Sequence, residues 1–356
     1  MPATHSTEIP GTGAVGSAVP AEGGGASAAP RRAARRGGWA RELTLVPAIL
    51  FVGLIGFALS ANFLTVSNLL DNVLVTSAVL AVIVVAESII LISGNFDLSL
   101  EANVSLAPMV AIWLVVGQAG GGLGWEWSPW AAIAVAVVVA VVVGLVNGFL
   151  VAKLGLNAFI VTLAMLILLQ GVTTGISGGA TYATLPDSFV VLGSARFLGL
   201  SVQVWIALIV IAAAAVFMTR FPLGRKIYAT GGNPEAAAAA GIKTKRITAG
   251  VFVVGALLAA LAGFMLTSRI ASVTATQGSG IIFTVFAAAV IGGISLDGGR
   301  GSILGAALGV LLLGMIQNIL TLSNIPSFWI NASYGLIILA ALILNYVTGL
   351  RSRRST

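Results

Sequence analysis

From Leu43 onward the chain is a succession of long apolar runs divided by short polar joints. A helix needs roughly 20 mostly apolar residues to cross the hydrocarbon core of a bilayer. Ten runs approach that requirement: Leu43–Ala61, Asn72–Ser93, Ser99–Val116, Trp130–Lys153, Ala158–Ser177, Val202–Thr219, Ile247–Ser268, Ile281–Ile294, Ser302–Thr321 and Phe328–Val347. The third and eighth are short, or broken by glycine and polar residues. Charged residues are 8% of the chain and hydrophobic residues 58%. A soluble domain carries about 25% charged residues, so too few remain here to build a water-facing surface. The predicted fold class is all-α. It is a polytopic membrane protein with about ten transmembrane helices over residues 43–347, a disordered basic tail over 1–42 and a short basic tail over 348–356.

The first tail carries RRAARR ahead of an apolar run, as a twin-arginine export signal does. Leu43–Ala61 is long enough to span and further spans follow, so it reads as a first membrane helix rather than a cleaved leader. With the N-terminus in the cytoplasm and the spans alternating, sixteen of the 18 Lys and Arg fall inside; only Arg196 and Arg269 fall outside. That is the positive-inside pattern, and it places both basic termini in the cytoplasm. The formal net charge of +7 is then a topology signal whose partner is the anionic inner leaflet of the lipid bilayer, not nucleic acid. No cysteine is present and the single histidine, His5, lies in the tail. Thiolate chemistry and a histidine metal site are excluded.

The largest inner connection, 219–246, contains GGNPEAAAAAGIKTKRI from Gly231. These residues specify a short helix. Asn233 is a good N-cap, Pro234 suits the first turn and Glu235 faces the positive end of the dipole. Five alanines follow, Gly241 can supply a left-handed stop, and Lys243, Lys245 and Arg246 come after it. Two turns are not stable alone in water, so the alanine face must meet either the protein's own underside or a partner.

Polar residues inside the spans carry the second signal. A carboxylate at the centre of a membrane helix costs on the order of 3 kcal/mol on insertion scales, so Glu87, in VVAESIILIS, must face protein or a water-filled cavity. Asp97 and Glu101, four apart in GNFDLSLEAN, would share one helix face as like charges near the inner end of their span, suiting a polar vestibule or gate. Asn157, Thr162 and Gln170 mark the fifth run; Gln317 and Asn318 break the ninth. Together these residues suggest a lined route for a polar, uncharged solute. Glycine and alanine recur at four-residue spacing in Gly255, Ala259, Gly263 and in Gly301, Gly305, Gly309, a pattern that lets helix backbones approach closely within one subunit. The segment GGISLDGGRGS, Gly292–Ser302, lacks the G-x-x-x-x-G-K-[ST] pattern of a phosphate-binding loop. It reads as a tight turn with an Asp297–Arg300 ion pair.

Four stretches, in order, resemble the permeases of ribose-type ABC importers. ISGNFDLSLEANVSLAP is similar to their "GGIDLSVGS" signature, with Asn95 and Phe96 where Gly and Ile are usual and Glu101 where a small residue is usual. LNAFIVTLAMLILLQG, YATGGNPEAAAAAGI and IGGISLDGGRGSILGAALGVLLLGMIQNIL match their later signatures. The resemblance implies a dimerising permease in a bacterial inner membrane. Its partners would be two cytoplasmic ATP-binding subunits, an extracytoplasmic substrate-binding protein and a second permease subunit. ATP and Mg would be used by the partner subunits, with no cofactor in this chain and no enzyme activity of its own. The EAA-x-x-x-G pattern of importer coupling loops is met by Glu235, Ala236, Ala237 and Gly241. With Gly232, Asn233, Pro234 and Lys243 they form the expected coupling segment. Asn95 joins Glu87, Asp97, Glu101, Asn157, Thr162, Gln170, Gln317 and Asn318 as candidate pathway residues. The expected solute is neutral, a monosaccharide first. The competing reading is an ion-coupled secondary transporter with Glu87 or Asp97 as the coupling carboxylate.

Overall fold

The computed structural model describes residues 37–326 and, beyond them, 328–330, 332, 333, 335, 336, 339 and 343, with 37–44 as backbone only. Besides a 3-10 turn at Gln118–Gly120 and the helical residues beyond 326, the described chain forms twelve helices: α1 (Gly37–Leu59), α2 (Asn68–Ile92), α3 (Ser99–Val115), α4 (Pro129–Lys153), α5 (Ala158–Ser177), α6 (Asp187–Ser194), α7 (Val202–Arg220), α8 (Pro222–Gly232), α9 (Pro234–Ala239), α10 (Thr244–Ile270), α11 (Ile281–Ile291) and α12 (Ile303–Leu322). Six are long and apolar enough to cross a membrane: α2, α4, α5, α7, α10 and α12. The apolar part of α1, Leu45–Leu59, and helices α3 and α11 are shorter. Most of the predicted tenth span, and both predicted tails except for the start of α1, lie outside the described residues.

The two weakest spans are short for a physical reason. Beyond Ile92 the chain turns back at Gly94, whose φ of +80° is left-handed, and α3 begins only at Ser99. The other short helix, α11, is about 16 Å long and ends with Gly292 packed on Gly305 and Ala306 in the first turn of α12. It therefore begins about half-way along its neighbour. Its start is held on the first turns of α3. Gly278 N donates to Ser105 Oγ at 3.0 Å, Gln277 Nε2 to Val104 O at 2.9 Å, and Ile282 N to Glu101 Oε2 at 3.3 Å. A helix of 17 residues and one of 11 thus meet by their N-terminal ends inside the bundle. Interrupted backbone of this kind is tolerated in a bilayer where protein covers it.

Helix α2 is the hub, with 94% of its apolar window buried. Around it, α10 packs on α2, α3 and α4. Glycines set the closest approaches. A Cβ on Gly144 would come within 2.5 Å of Val253 Cα, and one on Gly148 within 2.8 Å of Ala249 Cα, which fixes α4 on α10. In the predicted small-residue series, Gly263 abuts the Val104 carbonyl of α3, and Gly305 and Gly309 abut the Gly292 and Ala288 carbonyls. Both series work within the subunit.

Segment 178–201 holds α6 and a two-residue antiparallel ribbon, β1 (Arg196–Phe197) with β2 (Leu200–Ser201). Two connections differ from expectation. The 219–246 connection holds α8 as well as α9. Pro222 opens α8, and its closing Gly231–Gly232 is the same dipeptide that reads in sequence as loop. The expected Asp297–Arg300 pair does not form; Asp297 N instead donates to Ser295 Oγ at 3.3 Å. Among the described residues the ion pair present is Arg196 with Asp71, at 2.6 Å.

Candidate functional site

A buried polar cluster forms where the turn after α2 enters α3. Asp97 N donates to Glu87 Oε1 at 3.3 Å. Asp97 Oδ1 accepts from Ser99 N at 2.8 Å and from Ser99 Oγ at 2.5 Å, so the carboxylate closes the N-terminal end of α3. A carboxylate is favoured there by the helix dipole. From α4, Asn147 Nδ2 donates to Ser99 Oγ at 2.8 Å and to Asp97 Oδ2 at 3.4 Å. Glu87 and Asn147 are wholly buried and Asp97 is 1% exposed. Beside them, Phe96 stacks on Phe286 of α11 with ring centroids 3.9 Å apart. The arrangement ties α2, α3, α4 and α11 together.

The like-charge face expected for Asp97 and Glu101 is not present. Asp97 precedes α3 and turns to Glu87 and Asn147, while Glu101, inside α3, turns to the start of α11. Both are buried in packed protein.

A separate cavity of about 580 Å³ lies among α2, α10, α11 and α12. Its polar lining is Thr76, Arg269, Ser279, Thr284 and Gln317, with Phe283 on its rim. Arg269 Nη2 donates to Thr76 Oγ1 at 2.7 Å. Hydroxyl, amide and guanidinium groups on an otherwise apolar wall suit a polar solute with several hydroxyls.

At the opposite end, three glycine-bearing turns meet. Gly299 N donates to Ile92 O at 2.8 Å. A Cβ on Gly298 would stand 2.7 Å from Gly94 Cα, and one on Gly231 would overlap the Ile92 carbonyl oxygen and stand 2.8 Å from Gly299 N. The turns after α2 and α11 and the closing turn of α8 therefore touch backbone to backbone. Tyr228 of α8 locks the third by donating from its hydroxyl to Gly301 O at 2.9 Å. Directly after this junction comes α9. Asn233 Oδ1 accepts from Ala236 N at 2.9 Å, Pro234 stands in the first turn, and Gly241 has φ +81°. Ala237 is buried, whereas Pro234, Glu235, Ala236, Ala238, Ala239 and Ala240 are exposed. The helix presents a smooth exposed alanine face, and its neighbours Gly232, Gly241 and Lys243 are exposed as well.

The other predicted pathway residues are scattered. Asn95 is half-buried and donates to Ser93 O and Oγ at the end of α2. Asn157 caps α5, accepting from Ile160 N at 3.2 Å. Thr162 is buried, with its hydroxyl on Ala158 O at 2.8 Å and Phe96 O at 3.4 Å. Gln170 is half-buried on α5. Asn318 exchanges amide hydrogen bonds with Asn68 at 2.7 and 3.0 Å. Gln317 alone of the set lines the cavity. Sequence reasoning missed Asn147, whose signal was a lone amide in VVVGLVNGFL. It also missed Thr76 and Arg269; the arginine was visible as one of two exceptions to the charge asymmetry.

Residues 69–346 match the family described as branched-chain amino acid transport system, permease component. The chain is 35% identical over 311 residues to the ribose import permease protein RbsC of Escherichia coli K12, covering 86% of this chain and 94% of that protein. It is 33% identical to the L-arabinose ABC transporter permease protein AraH of Azospirillum brasilense, covering 90% and 92%. The autoinducer 2 import system permease protein LsrC of Escherichia coli O157:H7 is 32% identical, with 86% of each chain covered. No solved structure matches significantly.

Proposed function

Because the chain belongs to the branched-chain amino acid transport system permease family, we propose that it is the membrane subunit of an ABC importer for a neutral small solute, most simply a monosaccharide. The carrying observation is the match to the ribose permease along 94% of that protein's length. A like match to an arabinose permease supports the same solute class. These relatives favour an ABC permease over an ion-coupled carrier. Two cytoplasmic ATP-binding subunits supply the energy with ATP and Mg, an extracytoplasmic binding protein delivers solute, and a second permease subunit completes the route. In this reading the chain has about ten spans and both termini in the cytoplasm of a bacterial inner membrane, and the charge asymmetry supports that orientation.

In this reading α9 is the coupling helix. Gly232, Asn233, Pro234, Glu235, Ala236, Ala237, Gly241 and Lys243 shape it, and its exposed alanines permit close approach to a groove of the ATPase subunit. Closure of those subunits moves α9, and the glycine junction passes that displacement to the turns leading into α3 and α12. The short helices α3 and α11 then shift as a unit, opening the cavity alternately to either side. Gln317 and Arg269 face the solute. Glu87, Asn95, Asp97, Glu101 and Thr162 hold the interrupted helices in place.

The test is uptake by proteoliposomes holding the chain and its ATPase partner, with the loaded binding protein outside and ATP within. ATP-dependent uptake that vanishes when either partner is omitted is expected. Uptake by the chain alone under a proton or sodium gradient would replace this reading with a secondary transporter.

A further inference from the structure

A second cleft, of about 570 Å³, opens between α7 and α10, the two helices bracketing α8 and α9. Both pack on α2, whose Val85 and Ile89 form the cleft floor. Phe217 and Ile227 line it on the side of α7 and α8. Almost all of the wall is apolar, but Arg246 stands at one end, exposed and without an ion pair among the described residues. Arg246 lies in the first turn of α10, beside Lys243 and Lys245. That turn has no acidic residue and no side-chain cap. Three cations at the positive end of a helix dipole oppose the usual preference. An anion seated there would offset that charge.

We propose that this cleft binds an anionic phospholipid, one acyl chain lying between α7 and α10 and the phosphate held by Arg246 and the uncapped start of α10. The apolar trough fits the chain and the charge fits the headgroup, a pairing found where basic pockets lie between membrane helices. The site does not depend on the transport reading, because it is defined by binding alone. It sits, however, against both helices that flank α9, where a bound lipid would hold them apart.

Native mass spectrometry of the full chain tests this, using protein purified in detergent and supplied with equal phosphatidylglycerol and phosphatidylcholine of the same acyl chains. The wild type should retain phosphatidylglycerol about fivefold over phosphatidylcholine, the preference expected from a single cationic contact near the bilayer surface. Arg246→Gln should bring that ratio towards one. Gly250→Leu should lower retention of both lipids, because Gly250 lines the cleft and a side chain there meets nothing within 4 Å. Leucine also favours the helix over glycine, so the variant keeps its fold. Equal retention of the two lipids by the wild type would overturn the proposal, as would unchanged retention in Gly250→Leu or an unchanged ratio in Arg246→Gln. Efficient copy-to-copy crosslinking through Gly250→Cys would overturn it too, by assigning the cleft to a second protein chain.

Discussion

Gly231→Ala is expected to lower ATP-driven uptake at least about tenfold while leaving the chain in the membrane and bound to its ATPase partner. The added methyl has no room. It overlaps the carbonyl oxygen of Ile92 and stands 2.8 Å from both Gly299 N and the Ser93 carbonyl carbon. All three neighbours are backbone, so no side chain can swing aside. Overpacking of this kind costs about 1–3 kcal/mol, and parting the three turns lowers it. Parting them also breaks the 2.8 Å hydrogen bond from Gly299 N to Ile92 O, and with it the rigid link from α9 to the short helices α3 and α11. Because α9 itself is untouched, partner binding should survive while transport fails; 1.4 kcal/mol already corresponds to a factor of ten in a rate or equilibrium. The control is Gly175→Ala, where the methyl meets nothing within 4 Å. Wild-type uptake by Gly231→Ala, assayed beside that control, would show that the junction transmits nothing.

Asp97→Ala should destabilise the folded chain by about 2–4 kcal/mol. The carboxylate accepts from Ser99 N at 2.8 Å, Ser99 Oγ at 2.5 Å and Asn147 Nδ2 at 3.4 Å, at 1% exposure. Deleting it strands the first amide of α3 and a buried hydroxyl, and each orphaned group costs about 1–3 kcal/mol. Asn147 keeps one acceptor in Ser99 Oγ, which limits the loss. Asp97→Asn retains an acceptor for Ser99 but turns an amide towards that of Asn147, so it should lose less than half as much. Thermal unfolding followed by fluorescence-detected size exclusion measures both. Coincident unfolding of Asp97→Ala and wild type would show that the cluster does not secure α3.

Local signals were the legible ones. The six spanning helices could be read because a bilayer admits few alternatives to an apolar helix, and α9 because its cap, proline, alanines and terminal glycine lie within nine residues. What the sequence hid was long-range. Asn147 is 50 residues from Asp97, and Gly94, Gly231 and Gly298 come from three separate turns that touch only in the fold. The Asp97–Glu101 face failed because regular helical spacing was assumed through a turn that ends at Leu98. Likewise α8 was hidden because its two closing glycines resemble loop, whereas tertiary packing of that dipeptide against Ile92 and Gly299 is what needs them. Polarity inside a span picked out the buried Glu87, Asp97, Glu101 and Thr162, but also the exposed Asn157, and it could not separate a residue that lines a cavity, such as Gln317, from those that bind other helices, such as Asn318 and Thr162.

The seating of α9 on a nucleotide-hydrolysing subunit is tested most directly by crosslinking from Ala238→Cys, an exposed position on its alanine face. In the assembled transporter, cysteines on the ATPase surface that faces the membrane should crosslink to it rapidly, with a yield that changes when ATP is added. An Ala238→Cys chain that reacts only with a membrane-impermeant reagent applied from outside, and never with the ATPase, would contradict both the coupling role and the topology.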